Sequence, residues 1–454
     1  MAKKCDCGKF PTIVVPGIGN CRAFLEDEQG KRIKRAWPPE ISDQDFKALK
    51  KSLTLPALRM MVFRKDLGFS KKVKDELTKL LDFMASDADG KYRHNVRLEV
   101  FENSLAACNE KEKKFIYGML PFCPLAEAIG EDHLYYFSFV AIGNTQETID
   151  RLRAFIKKVK EETGHDRVNL ASVSLGASVT TAYLDQYASD KDINRVVGVV
   201  PAFDGSLVIS DILKGNIDFD NYESLFQELM GRSTAQKIMK IVRLVPPKVM
   251  KSFILALVGA VIDTAIRNST TFWGVVPASD YKQLSDKLLS DPSHAKIKAE
   301  ADRWHAIKSN FSALVEKARE NGIEIFSLGG YNLRLFSAVK TGNVHSDMIV
   351  HTASETMGGN FAPLGQAFED SYEQSGLCCK EADHNHMSPH RDIDLSASPL
   401  ADTAWLWRNM GHEDGIGCQQ FLNLMRILLT DNSLKDVFQD PEFPQFNEFV
   451  KDKK

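Results

Sequence analysis

The sequence predicts an α/β protein, a mainly parallel central sheet flanked by helices and carrying a large helical cap insertion. Three observations predict it. Strand-like and helix-like segments alternate through the first half of the chain, as in successive βαβ units. The strand candidates are short apolar runs rich in β-branched or aromatic residues. From about residue 205 to residue 320 the pattern turns helical, and a strand signal returns only at residues 323–328.

Residues 11–16 (PTIVVP) read as a buried strand, and Gly17-Ile18-Gly19-Asn20 as the tight loop that follows it. Residues 21–120 form a lysine-rich insertion with helices of amphipathic pattern. Residues 134–140 (LYYFSFV) are an aromatic-rich strand. After Gly143 and Asn144 comes a helix with Ile149, Leu152, Phe155, Ile156 and Val159 on one face, stopped by Gly164. Residues 168–173 (VNLASV) are the next strand, residues 175–187 a helix, and residues 196–200 (VVGVV) a third parallel-strand candidate. The expected organisation is a core of residues 1–204 and 321–454, with a helical insertion at about 21–120 and a cap at 205–320 whose most apolar helix covers 248–267.

Composition bounds the function. The 454 residues are 43% hydrophobic and 26% charged, an ordinary globular balance. Lysine plus arginine number 58 against 61 aspartate plus glutamate, a net charge of -3, so nothing draws the chain toward nucleic acid, and no nucleic-acid partner is expected. The longest apolar run, residues 253–262, is flanked by Lys251 and Asp263. It is shorter than the roughly 20 residues of a membrane-spanning helix. The N-terminus lacks the apolar stretch of a secretory signal, which points to a cytoplasmic location, with export after loss of a leader as the alternative. The eight cysteines are dispersed, unlike a disulfide framework, so reduced thiols are expected.

The chemistry concentrates at Ser172-Val-Ser-Leu-Gly176, a nucleophile-elbow pattern with Ser at the first Gly position. Such an elbow turns from strand to helix around a strained central serine, so the residues two before and two after must be small. Ser172 and Gly176 are small, a strand precedes, and a helix follows. The Ser174 hydroxyl then projects from the carboxyl end of the sheet, with the Leu175 N–H facing a developing oxyanion. A decoy, Ser327-Leu-Gly329, also ends a strand, but Ile325 is bulky and no helix formers follow. A second oxyanion donor belongs to the loop after an earlier strand, and the candidates are the N–H groups of Gly17 and Ile18.

Pro16-Gly-Ile-Gly19, the elbow, Phe272-Trp-Gly-Val-Val-Pro277 and Ser346-Asp-Met-Ile-Val350 together resemble the bacterial lipase and lecithin:cholesterol acyltransferase-like branch of the α/β-hydrolases. The resemblance spans most of the chain at low detail. It implies an α/β-hydrolase fold without the leading antiparallel strands, and a triad in the order Ser, acid, His. Asp347 matches the family's Asp-Gly-x-Val pattern, with Met348 in place of Gly; Asp204, after an earlier strand, is the alternative acid. His412 follows Trp405 and Trp407 in a turn-like Gly-His-Glu-Asp-Gly stretch, similar to the family's histidine loop. The rival is His390, in the cluster Asp383-His-Asn-His-Met-Ser-Pro-His390. That cluster reads as a solvated polar loop, and no metal or other cofactor is expected.

The resemblance implies a serine hydrolase cleaving carboxylic esters, of acyl lipids if part of the apolar 248–267 helix covers the site, through an acyl-enzyme. The expected partner is a small-molecule or lipid ester, with transient lipid-surface contact through the cap and no integral membrane span. An acyltransferase using the same intermediate and a non-catalytic binding protein of the same fold are the alternatives.

Overall fold

The computed structural model describes residues 5, 7–119, 123–219, 223, 239, 242–243, 245–379, 381 and 383–451. Its strands, in chain order, are β1 (Thr12–Val15), β2 (Ala23–Glu26), β3 (Arg32–Trp37), β4 (Val96–Leu98), β5 (Leu134–Tyr136), β6 (Val168–Val173), β7 (Ile193–Val199), β8 (Glu324–Tyr331), β9 (Asn360–Phe361), β10 (Ile393–Asp394), β11 (Ala404–Arg408) and β12 (Phe446–Glu448). Seven of them form the central sheet, in the order β12-β11-β8-β7-β6-β1-β5. Every neighbouring pair is parallel. Helices cover both faces of such a sheet, which is why β1 and β6 are buried along their whole length, polar Thr12, Asn169 and Ser172 included.

The strand order contains a reversal. From β1 the chain places β5 on one side, then crosses back to put β6 on the other side of β1, and β7, β8, β11 and β12 continue outward from there. The loops after β1 and β6 therefore diverge and open a crevice at the carboxyl ends of these two strands, the usual ligand position in open α/β sheets. The helix Thr145–Thr163 returns the chain across the sheet; Asn144 caps it by accepting from the Glu147 N–H, and Gly164 ends it at φ 70°. Its buried face is Ile149, Leu152, Ile156 and Val159, with Phe155 half-buried.

One fully buried charge fastens the far end of this layer. Arg195, on β7, pairs with Glu324 at 2.7 Å and donates to the carbonyls of Leu428, Asp431, Asn432 and Leu434. These groups end and follow the helix Gln419–Thr430, whose last carbonyls have no partners within the helix.

The two insertions differ in part from the sequence expectation. The first contains helices Asp43–Phe63 and Phe69–Leu81, but also the antiparallel sheet β3-β2-β4. Its strands escaped notice because β3 (RIKRAW) has one buried residue, Ala36, and carries three cationic residues, so it offers no apolar run. In the second, helix Pro247–Val261 lies on helix Phe69–Leu81. The Phe69 and Phe253 rings stack at 5.8 Å, Ser252 donates to Asp66, and Lys74 pairs with Asp263 at 2.7 Å. The apolar surface of this helix is thus largely spent on the first insertion. Counted through its final π-turn, Pro247–Ile266 is long and apolar enough to cross a membrane, longer than the 253–262 run suggests, yet 61% of it is buried inside the protein. Helices Ala295–Lys308 and Phe311–Glu320 pack along helix Leu175–Tyr187.

Candidate active site

Val173 ends β6 and Leu175 begins the next helix, so Ser174 alone makes the turn, at φ 49° and ψ -119°. For a residue with a side chain this conformation costs about 1–3 kcal/mol and persists only where the surroundings over-determine it. Here they do. The Ser174 N–H donates to the Val199 carbonyl at 3.1 Å, and its own carbonyl accepts from Ala177 and Ala202 at 3.0 and 3.1 Å.

The flanking small residues have separate reasons. A Cβ on Gly176 would sit 2.0 Å from the Val15 carbonyl oxygen, so the helix can approach β1 only with glycine there. Ser172 is fully buried with its hydroxyl 2.7 Å from that of Thr180, one helical turn beyond the elbow. A serine therefore fits where the usual motif has glycine because the helix supplies it with a partner.

Across the crevice, Gly17 faces the serine. A Cβ there would lie 3.3 Å from Ser174 Cβ and 3.8 Å from Oγ, so any side chain would crowd the hydroxyl. The loop is held from outside: Trp37 Nε1 donates to the Ile18 carbonyl at 3.0 Å, and the Tyr136 hydroxyl donates to the Asn20 carbonyl at 2.6 Å. As the first residue of its helix, Leu175 has an N–H without an intrahelical acceptor.

His412, beyond β11, places Nε2 3.0 Å from Ser174 Oγ, and its Nδ1 is hydrogen-bonded to Asp347 Oδ2. Asp347, beyond β8, is fully buried. Its other carboxylate oxygen accepts from the N–H groups of Ile349 and Val350 at 2.9 and 2.7 Å, while its backbone carbonyl accepts from the His412 N–H at 2.8 Å. The Asp347 and His412 loops are thus locked by backbone as well as side chain. Met348 completes the turn at φ 83°, a conformation that favours glycine, which is how the chain keeps the turn without the expected Gly. Burial alone would lower the His412 pKa, but the charge and hydrogen bond of Asp347 outweigh it and raise the ring above the ordinary histidine value of 6.5.

The remaining candidates fall elsewhere. Ser327 is fully buried and donates to the Glu355 carbonyl at 2.6 Å. His390 is exposed beside Glu448. Asp204 accepts from the Ala278 N–H at 2.9 Å and lies 3.9 Å from the buried Lys308, so it anchors the segment that leads out of β7. Burial raises its pKa against the pull of Lys308.

Two contributors are absent from the sequence reading. Trp37 lies in the unnoticed small sheet. Glu355, fully buried, accepts from the Gly330 N–H at 3.0 Å, and burial first, then the charge and hydrogen bond of Asp347, raise its carboxyl well above the usual range. Burial and the Asp347 charge thus both favour the protonated form of Glu355. No periodicity marks a lone glutamate in Thr-Ala-Ser-Glu-Thr as buried.

Comparison of the sequence with protein-family models finds no match, and comparison with curated proteins finds none either.

Proposed function

We propose that this protein is a serine hydrolase of the α/β-hydrolase fold that cleaves carboxylic esters through an acyl-enzyme. The observation that carries the proposal is the bridge made by His412 between Ser174 and Asp347, in the chain order Ser, acid, His. The strand order supports it, since β1 and β6 flank the crevice with the oxyanion loop on one and the nucleophile on the other.

In this reading His412 Nε2 takes the Ser174 proton as Oγ attacks the ester carbonyl. Asp347 keeps the other ring proton on Nδ1 and stabilises the imidazolium. The N–H of Leu175 and an N–H of the Gly17–Ile18 loop receive the oxyanion. Protonation of the leaving alcohol by His412 yields the acyl-enzyme, and water activated by the same ring releases the acid.

The rim of the crevice favours an apolar acyl group. Each loop that carries the chemistry also exposes a large apolar side chain: Ile18 (37%) beside Gly17, Met348 (45%) beside Asp347 and Ile416 (54%) shortly after His412. Apolar side chains beside a few convergent polar groups are the usual composition of a small-molecule site. This rim, rather than the buried helix Pro247–Val261, is the surface we assign to the acyl chain.

A fluorophosphonate probe tests the nucleophile: wild type is labelled and Ser174→Ala is not. Equal labelling of both, or of neither, overturns the proposal. A series of p-nitrophenyl esters of increasing chain length tests the acyl assignment, which a preference for acetate would overturn.

A further inference from the structure

Two clusters of metal-binding side chains lie on the rim of the sheet opposite Ser174, one at each lateral end. Because the sheet is parallel, residues just before its strands gather at the edge away from the catalytic loops. Cys5 and Cys7 precede β1, His133 immediately precedes β5, and His165 precedes β6. Their four ligand atoms all lie within 4.8 Å of one another.

The distances suit one ion. Cys7 Sγ is 3.6 Å from His133 Nε2 and 3.5 Å from His165 Nε2, and Cys5 Sγ is 4.0 Å from His133 Nε2. Tetrahedral zinc, with Zn–S of about 2.3 Å and Zn–N of about 2.0–2.1 Å, sets sulfur and nitrogen ligands roughly 3.5 Å apart. The outer groups agree. Asp132 lies 3.1 Å from His133 Nδ1, where a carboxylate holds the proton on Nδ1 and leaves the Nε2 lone pair facing the sulfurs.

We propose that Cys5, Cys7, His133 and His165 bind a zinc ion that staples the N-terminal segment to the sheet. Four protein ligands close the coordination shell, so the site is structural and leaves no position for water. Binding releases the two thiol protons to solvent as each sulfur forms its bond to the metal. The inference does not depend on the hydrolase reading.

A different observation carries a second zinc site at the other end of the same rim, made by Cys379, His384, His386 and Asp402. Asp402 precedes β11, and Gln445 immediately precedes β12. The Gln445 amide N–H groups donate to the carbonyls of Ala401 and Ala404, so its oxygen is turned to accept from His386 Nδ1 at 2.9 Å. The proton is thereby fixed on Nδ1. Nε2 of this ring, 1% exposed, then aims a lone pair at Asp402 Oδ1, 3.3 Å away. Two lone pairs facing each other in a partly buried site call for a cation between them, and His384 Nδ1 and Cys379 Sγ lie 3.0 and 3.6 Å from the same oxygen. This ion braces the segment between Asp347 and His412, where the only regular pairing among the described residues at 360–403 is the two-residue strands β9 and β10. The histidine cluster expected to be a solvated loop is thus partly buried, and its missing ligand was Cys379, five residues upstream.

Metal analysis of the full-length protein, prepared without a polyhistidine tag and gel-filtered in chelator-treated buffer, is expected to find two zinc ions per chain. Cys7→Ser loses one, Cys379→Ser the other, and Ser174→Ala neither. If either cysteine variant fails to fold, cobalt titration of the metal-stripped wild type decides, because a site with two thiolates gives a stronger sulfur-to-metal charge-transfer band than a site with one. Wild type that takes up neither zinc nor cobalt overturns both sites. A single ion lost in Cys7→Ser overturns the second, and a single ion lost in Cys379→Ser overturns the first.

Discussion

The Trp37 indole donates across 3.0 Å to the Ile18 carbonyl, tying the first insertion to the loop that faces Ser174. Through this bond a small antiparallel sheet far along the chain from the elbow holds the backbone that, in the proposed reaction, receives the oxyanion. Trp37→Phe keeps the ring and deletes the donor. A neutral hydrogen bond contributes about 0.5–1.5 kcal/mol, which corresponds to roughly a two- to tenfold loss of kcat/KM. Steady-state kinetics should show this loss mainly in kcat, with the thermal midpoint nearly unchanged; an equal fall in stability would mean that Trp37 serves folding alone.

The pH dependence follows from the raised His412 pKa. The base must be neutral to accept the Ser174 proton, so kcat/KM should fall as pH drops through a pKa above 6.5. Asp347→Asn removes the charge that raises the ring, and should lower kcat by on the order of 10³–10⁴ while moving the acid limb to lower pH. A limb that stays in place would show that another group controls it.

What was legible in the sequence was whatever local spacing or a continuous apolar run encodes. The strands β1, β6 and β7 are largely buried and rich in apolar, mostly β-branched residues, so each left a short apolar signal, and the elbow's small residues stand at fixed offsets around Ser174. The half-exposed β2, β3 and β4 left no such run. Asp347 and His412 came from a resemblance rather than from periodicity, since loop residues meet only through the crossing order of the strands. The long-range partners were illegible for the same reason: nothing near Ser172 announces Thr180 as its hydrogen-bond partner, and nothing near His386 announces Gln445.

Arg195 tests the fastening of the sheet. Its guanidinium serves Glu324 and four carbonyls in a fully buried position. Arg195→Met fits the volume but leaves the four carbonyls without this donor, while Glu324 keeps its ion pair with Lys435; the expected loss is about 3–5 kcal/mol by analogy with broken buried ion pairs. Urea denaturation should show a lower midpoint at unchanged slope. A midpoint within error of wild type would mean that water replaces the guanidinium.

Glu355 gives the sharpest test of the buried chemistry behind Asp347. Burial first, then Asp347, raise the folded pKa of its carboxyl well above 4.5. The unfolded chain releases that proton near pH 4.5 and the folded chain retains it, so the folded state binds more protons above that pH. Stability therefore falls as pH rises, with a slope of up to about 1.4 kcal/mol per pH unit until the folded pKa is passed. Glu355→Gln keeps the shape and neutrality of the protonated acid and preserves an acceptor for the Gly330 N–H, so it should abolish this slope and retain ester hydrolysis. Glu355→Ala instead opens a cavity and strands that N–H, at a cost of about 1–3 kcal/mol for the unpaired group alone. Thermal midpoints of the three proteins across pH 4–8 separate the outcomes. If the glutamine variant loses as much stability as the alanine variant, Glu355 is ionised in the folded protein and its charge, not its proton, shapes the acid loop.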